Sequence, residues 1–189
     1  MDWFDELCGA RLTTSWYRIG GVERDFTASL LDKLKQFLDY FPPKIDEYQV
    51  FLETNRIWIG RTKGVAIISA EDAVSFGLSG PTLRGSGVDY DLRKAQPYSA
   101  YPKCEFSVPL GKNGDTYDRY WIRVEEMRQS ARIISQCLDQ MPPGAIIADI
   151  PQYIPPPKLQ VMRDMESLIH HFIIFTQGFK PPKGETYCA

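Results

Sequence analysis

Three groups of residues have types and spacings that could do chemistry. The first is Gly80-Pro81-Thr82-Leu83-Arg84-Gly85-Ser86-Gly87, a glycine-rich stretch of the kind that cradles phosphate on backbone N–H groups. A phosphate loop closes on a lysine that neutralises phosphate charge, and here Ser86 follows Gly85 with no lysine between. The simpler reading is a tight turn whose glycines let a neighbouring backbone come close. The second is His170-His171, the only histidines. Adjacent helical positions point about 100° apart, so the pair cannot chelate one metal as histidines at i and i+4 do. A hydrogen-bonded core or interface histidine fits better, and so short a supply argues against a Ser-His-Asp or Cys-His catalytic site. The third group is charged. Glu125, Glu126, Arg128 and Arg132 lie on one helical stretch, where most charges form a solvated face and exposed pairs stabilise by about 0–1 kcal/mol. Asp89, Asp91, Arg93 and Lys94 lie in an irregular stretch, where charges more often serve recognition.

Cys8, Cys104, Cys137 and Cys188 include no CxxC pair, so no zinc or iron–sulfur ligand set is visible and the four read as reduced cytosolic thiols. With 22 Lys and Arg against 24 Asp and Glu, the net charge of −2 gives no electrostatic footprint for nucleic acid. The opening Met1-Asp2-Trp3-Phe4-Asp5-Glu6 is acidic and lacks the basic start of a signal peptide. The longest apolar run, Phe172-Ile173-Ile174-Phe175, falls far short of the ~20 residues needed to span a bilayer, so any membrane association is expected to be peripheral.

These residues need elements to position them. Residues 2–12 read as a helix, followed by a short strand or hairpin arm over Thr13–Ile19 that Gly20-Gly21 closes. Phe26, Leu30, Leu34, Phe37, Leu38 and Phe41 recur at helical spacing. Pro42-Pro43 should end that helix, with a second restarting at once behind Ile45, Tyr48 and Leu52. Ser69 caps a short helix that Gly77 ends. Residues 77–115, rich in glycine and proline, are expected to be mostly irregular, with a short strand near Phe106-Ser107-Val108. Asp115 and Asp118 open a long helix. Its apolar stripe runs from Tyr117 through Tyr120, Trp121, Val124, Met127, Ala131, Ile134 and Leu138 to Met141, and Pro142-Pro143-Gly144 stops it. The opposite face carries Arg119, Arg123, Glu126, Arg132 and Gln136. A last helix is expected from Lys158 to Thr176, with Leu168–Phe175 buried on several sides. By themselves these features describe a mainly α fold with small β elements and an aromatic content of 13%, and they name no reaction.

Short segments taken in order resemble the 49-kilodalton subunit of NADH:quinone oxidoreductase, respiratory complex I, whose bacterial form is the D subunit. They include Gly9-Ala10-Arg11, Tyr17-Arg18-Ile19-Gly20-Gly21-Val22, Ile45-Asp46-Glu47-Tyr48 and Asn55-Arg56-Ile57-Trp58. The glycine-rich stretch then leads into Asp91-Leu92-Arg93-Lys94, followed by Asn113-Gly114-Asp115-Thr116-Tyr117-Asp118, Glu126-Met127-Arg128-Gln129-Ser130 and Ser167-Leu168-Ile169-His170-His171-Phe172. The resemblance implies part of a fold like that of the [NiFe]-hydrogenase large subunit, residues 1–189 forming one domain piece from the centre of a longer subunit. It implies a polypeptide that binds no cofactor directly. Its partner, a small Fe–S subunit, carries the terminal [4Fe–4S] cluster, and quinone is reduced in a pocket between the two. NADH and FMN sit on other peripheral-arm subunits, and membrane-arm subunits translocate protons. The assembly would lie on the cytoplasmic face of a bacterial inner membrane, or on the matrix or stromal face in an organelle. The family's N-terminal His-Pro-x-Thr-His-Gly hairpin, which addresses the quinone head, has no counterpart here, so no catalytic residue is expected in this chain.

Residues expected at the Fe–S-subunit and quinone-cavity interface are Thr13, Arg18, Gly20, Gly21, Arg84, Gly85, Asp91, Arg93 and His170. Many relatives carry a histidine at the position of Thr13, near the cluster; a threonine hydroxyl can donate a hydrogen bond but cannot take up a proton at neutral pH. Arg18 and Arg84 are expected to orient backbone at that interface. Two other readings of the residues are the large subunit of a membrane-bound [NiFe] hydrogenase and a truncated, non-catalytic scaffold.

Overall fold

The computed structural model describes residues 1–185, which leaves Cys188 outside the described residues. In chain order the elements are α1 (Asp2–Cys8), β1 (Tyr17–Arg18), β2 (Gly21–Val22), α2 (Ala28–Glu53), α3 (Arg56–Thr62), α4 (Ala70–Ser75), α5 (Gly80–Gly85), α6 (Leu92–Ala95), a 3-10 turn (Tyr101–Lys103), α7 (Thr116–Asp139), α8 (Lys158–Val161) and α9 (Met165–Thr176). The mainly α expectation with a small sheet is met. The chain divides into two compact units, Met1–Leu30 with Pro143–Ala189, and Leu31–Pro142.

In the first unit, α1 stops sooner than residue 12 because Gly9 takes the left-handed conformation at φ 73° and its N–H closes on Asp5 O at 2.7 Å. The Trp3 indole donates to Leu30 O at 2.9 Å, and Phe26 lies between the rings of Trp3 and Trp16, 5.6 and 5.1 Å away. The expected hairpin forms, with Tyr17 opposite Val22 and Arg18 opposite Gly21. The expected last helix is two. It breaks at Met162–Arg163, and Asp164 caps α9 by accepting from Ser167 N at 2.8 Å. Its apolar half is not buried: Ile169, Phe172 and Phe175 are 53, 57 and 65% exposed. An apolar run shows that a helix wants cover, not that the described residues supply it.

α2, most of which lies in the second unit, continues through Pro42 and Pro43 instead of ending there. Leu34, Leu38, Phe41, Ile45 and Leu52 keep one helical register across the two prolines, so packing outweighs the two missing N–H donors. Ile45 is buried, whereas Tyr48 faces solvent. Arg128 of α7 holds α2 through Asp46 and Gln49, both at 2.6 Å.

α7 is the axis of this unit. Asp115 caps it by accepting from Asp118 N at 2.8 Å, its other carboxylate oxygen takes Gly64 N at 2.8 Å, and Ile122, Val124 and Ala131 are buried. It ends at Asp139, just ahead of the proline pair. Residues 77–115 hold more helix than their composition suggests. Gly80 turns the chain at φ 59° and Pro81 pre-sets the first turn of α5. The expected strand at 106–108 is absent, because its neighbours pair with glutamines of α7 rather than with another strand. Gln136 accepts from Glu105 N at 2.7 Å and donates to Glu105 O at 2.8 Å, and Gln129 accepts from Ser107 N at 3.0 Å.

Candidate functional site

The nine sequence-chosen positions fall into two groups, one in each unit. Arg84, Gly85, Asp91 and Arg93 come together against α7, and they recruit a residue that sequence reasoning had put on a solvated face, Glu126. The polar face of α7 is therefore no plain solvent face. It carries the side chains that hold α5, α6 and the 104–108 segment.

Arg84 lies in the last turn of α5 with its side chain only 6% exposed. It forms an ion pair with Glu126, lies 3.8 Å from the Asp91 carboxylate and donates to Tyr90 O at 3.2 Å. Its Nε is buried without an acceptor among the described residues, which costs about 1–3 kcal/mol. Asp91, 4% exposed, receives a forked pair from Arg93, with Nε at 2.9 Å and Nη2 at 2.5 Å, and also caps α6 by accepting from Arg93 N at 3.0 Å. Hydrogen bonding from Arg93 holds the Asp91 carboxyl below the usual carboxylate range, working against the burial that raises it. The Arg93 guanidinium lies 4.8 Å over the ring of Phe106, with Lys94 Nζ at 4.6 Å from the same ring. Two cations and two carboxylates thus alternate in a largely dry site, where each charge is acceptable only because the next is in place.

The glycines make this possible by leaving room. A Cβ on Gly85 would stand 2.8 Å from Arg119 Cγ, and one on Gly111 would stand 2.3 Å from Gly85 O. Gly111 N donates to Arg84 O at 2.9 Å. The space at the end of the glycine-rich stretch is filled by the chain's own backbone, as the tight-turn reading expects. Asp118, also buried, accepts from Lys112 N at 2.7 Å and Asn113 N at 2.5 Å, fixing the segment that carries Gly111. Beside it, burial and then a hydrogen bond to Glu53 push the Tyr117 hydroxyl up to about 12.

The other group lies in the first unit. Arg18 pairs with Glu23 at 2.7 Å and donates to Ser15 O, which stiffens the arm before the turn. Gly20 turns at φ 89°. Gly21 meets Ile147 in an isolated antiparallel bridge, and a Cβ there would stand 2.2 Å from Ile146 O. Thr13 is exposed at φ 52°, its hydroxyl donating to Leu12 O at 2.7 Å. His170 hydrogen bonds with Pro151 O at the edge of a cavity of about 540 Å³ lined also by Ile150, Ile154, Asp164 and Ser167. His171 packs its ring 4.6 Å from Phe175.

Among the described residues, no group of three or more His, Cys, Asp or Glu side chains could hold a metal ion, and no helix is long and apolar enough to cross a membrane. The arrangement is suited to holding backbone and charge in fixed positions.

Compared with known proteins, residues 1–189 match throughout the profile of a family described as the respiratory-chain NADH dehydrogenase 49 Kd subunit. The chain is 49% identical over 189 residues to the NADH-quinone oxidoreductase D subunit of Magnetococcus marinus, covering all of this chain and 48% of that protein. It is 53% identical over 183 residues to the D subunit of Methylacidiphilum infernorum, covering 97% of this chain and 44% of that one. To the D subunit of Rickettsia rickettsii it is 43% identical over 189 residues, covering 100% and 48%. The chain spans about half the length of the curated relatives it matches.

Proposed function

Because the chain belongs to the family of the respiratory-chain NADH dehydrogenase 49 Kd subunit, we propose that it forms the central part of the quinone-site subunit of a proton-pumping NADH:quinone oxidoreductase. In that role it packs against the small Fe–S subunit, so that electrons pass from the terminal [4Fe–4S] cluster to quinone. The observation that carries this reading is the match over the whole chain, to relatives named as D subunits of NADH-quinone oxidoreductase. Those names favour it over the hydrogenase reading. The hydrogenase-like core, the peripheral seat on the cytoplasmic, matrix or stromal face, and the partner subunits belong to the same proposal.

The cluster, on the partner, supplies the electron when the assembly is complete. The contribution of this chain is position and charge. The Arg84–Glu126–Asp91–Arg93 network pins α5 and α6 to α7, so the backbone between them presents one fixed surface. The hairpin with Arg18, Gly20 and Gly21 does the same for the arm that carries Thr13. The exposed Thr13 hydroxyl would have to turn from Leu12 O to donate to an acceptor on a partner, and it keeps no proton in play near neutrality. His170 would line the quinone-cavity side.

The test is Arg84→Ala in the full-length protein. NADH-driven quinone reduction by membranes should fall at least tenfold, while NADH-driven ferricyanide reduction, which draws electrons from the flavin of another subunit, persists. Unchanged quinone reduction with normal assembly would count against the proposed role of this network.

A further inference from the structure

The described residues include a second cluster of reactive groups that the proposed function does not use. Cys104 follows the 3-10 turn and is buried, while Cys137 lies in the last turns of α7 and is exposed. Neighbouring contacts fix their register. Gln136, next to Cys137, holds both the N–H and the carbonyl of Glu105, next to Cys104. One turn on, Gln140 donates to Lys103 O at 3.4 Å. The segment 103–105 is thus laced to α7 on either side of the two cysteines. The two thiols open onto the same space beside α7. Cys104 Sγ also lies 3.6 Å from Ala100 O, an acceptor for its own S–H. Both cysteines line a cavity of about 290 Å³ with Tyr98, Ser99, Tyr101 and Ile133, which leaves room for a small oxidant beside the sulfurs.

We infer that Cys104 and Cys137 form a reversible dithiol–disulfide pair, oxidised by a small peroxide. The exposed Cys137 thiolate attacks one peroxide oxygen, the O–O bond breaks, and Cys137 becomes a sulfenic acid as the first water leaves. Cys104 sulfur then displaces the sulfenic hydroxyl, forming the S–S bond and releasing a second water. Overall the two thiols lose two electrons and two protons, and one hydrogen peroxide becomes two waters. A dithiol reductant reverses the step.

The cross-link would fasten the 101–106 segment to α7. That segment carries Tyr101 and Phe106, the rings under Arg93, so the oxidised form tightens the support of the Asp91–Arg93 pair. Although the residue is exposed, partial loss of water around its sulfur, and then the neighbouring Cys104, push the Cys137 thiol above its ordinary value, so the reaction is slow at neutral pH and accelerates into the alkaline range.

The experiment uses the full protein in cell extract. Extract is treated with hydrogen peroxide, remaining thiols are alkylated, and digested peptides are identified by mass. The expected result is one cross-linked peptide pair joining Cys104 to Cys137, two hydrogens lighter than the sum of its parts. It should disappear on dithiothreitol treatment and form at least threefold faster for each pH unit between 7 and 9. Replacement by Cys104→Ser should leave Cys137 stepping on to sulfinic and sulfonic acids. Two results would overturn the inference. One is both cysteines still alkylated at peroxide levels that oxidise other exposed thiols in the extract. The other is Cys137 over-oxidised in the wild-type protein with no cross-link. The wild-type readout decides the matter even where the variant does not accumulate.

Discussion

Replacing Arg84 by Met removes one charge from a site built of four and keeps most of the side-chain volume. Two carboxylates lose a partner. Asp91 keeps the forked pair from Arg93, so its loss is small. Glu126, 19% exposed, keeps some access to water but loses its ion pair. Removing one member of a buried pair costs about 3–5 kcal/mol, and these two partial compensations place Arg84→Met near the lower end, about 3 kcal/mol. Adding Glu126→Gln to that background removes the orphaned charge and should recover about 1–2 kcal/mol, so the two changes are strongly non-additive. Arg84→Lys should not rescue, since one ammonium cannot reach Glu126, Asp91 and Tyr90 O together. Urea unfolding of the purified protein, followed by tryptophan fluorescence, reads all four variants. With a urea slope of about 1–3 kcal/mol per molar, the Arg84→Met midpoint should fall by about 1 M or more. A shift within about 0.5 kcal/mol, or strict additivity with Glu126→Gln, would refute a buried, coupled network.

Glycine substitutions should differ in sign with their surroundings. Gly111→Ala drives a Cβ into Gly85 O and should cost about 1–3 kcal/mol or more by thermal unfolding, whereas Gly60→Ala, inside α3 with nothing within 4 Å, should stabilise by about 0.5–1 kcal/mol. The low-lying Asp91 carboxyl contributes stability that is fully present above its ordinary value of 3.8 and is lost as pH falls through its lower folded value; urea titrations from pH 7 to 3 should show an acid loss that Asp91→Asn diminishes. Tyr117, half-buried and held near 12, should stay protonated in the folded protein at pH 10.5, and ultraviolet difference titration of Tyr117→Phe against wild type should show no missing phenolate signal there. Its raised value contributes stability that is present below about pH 10 and lost as pH rises through 12. In the proposed assembly, a redox titration of the terminal cluster should give a potential nearly flat between pH 6 and 8, because Thr13 takes up no proton there; a clear slope around neutrality would refute this.

The parts of the fold legible in the sequence were those fixed locally. Asp115 caps α7 through its own neighbours, and the stripe from Tyr117 onward repeats over a helix of 24 residues, so start and course could both be read. Gly20 closes a hairpin for the same local reason. What failed was decided at a distance. Pro42-Pro43 is a strong stop signal, yet the register on its two sides matches, and the continuous face of α2 overrides it. The segment at 106–108 has strand-forming residues, but two glutamines one heptad apart on α7 take the neighbouring backbone groups instead. The burial expected of Leu168–Phe175 needs a covering surface that composition cannot supply. At the site, Arg84, Asp91 and Arg93 were picked out, but Glu126 was missed as a partner. On a helix surface it looks like any solvated glutamate, and only the fold brings it to Arg84 across 42 positions of sequence.

The proposed role has this chain working within an NADH:quinone oxidoreductase. It is tested most directly by tagging the full protein, extracting native membranes with mild detergent and weighing everything that elutes. The expected eluate holds a small Fe–S subunit, further peripheral-arm subunits and membrane-arm subunits in constant proportion, together with NADH-driven quinone reduction. Elution of the protein alone, or with unrelated companions and no such activity, would contradict it.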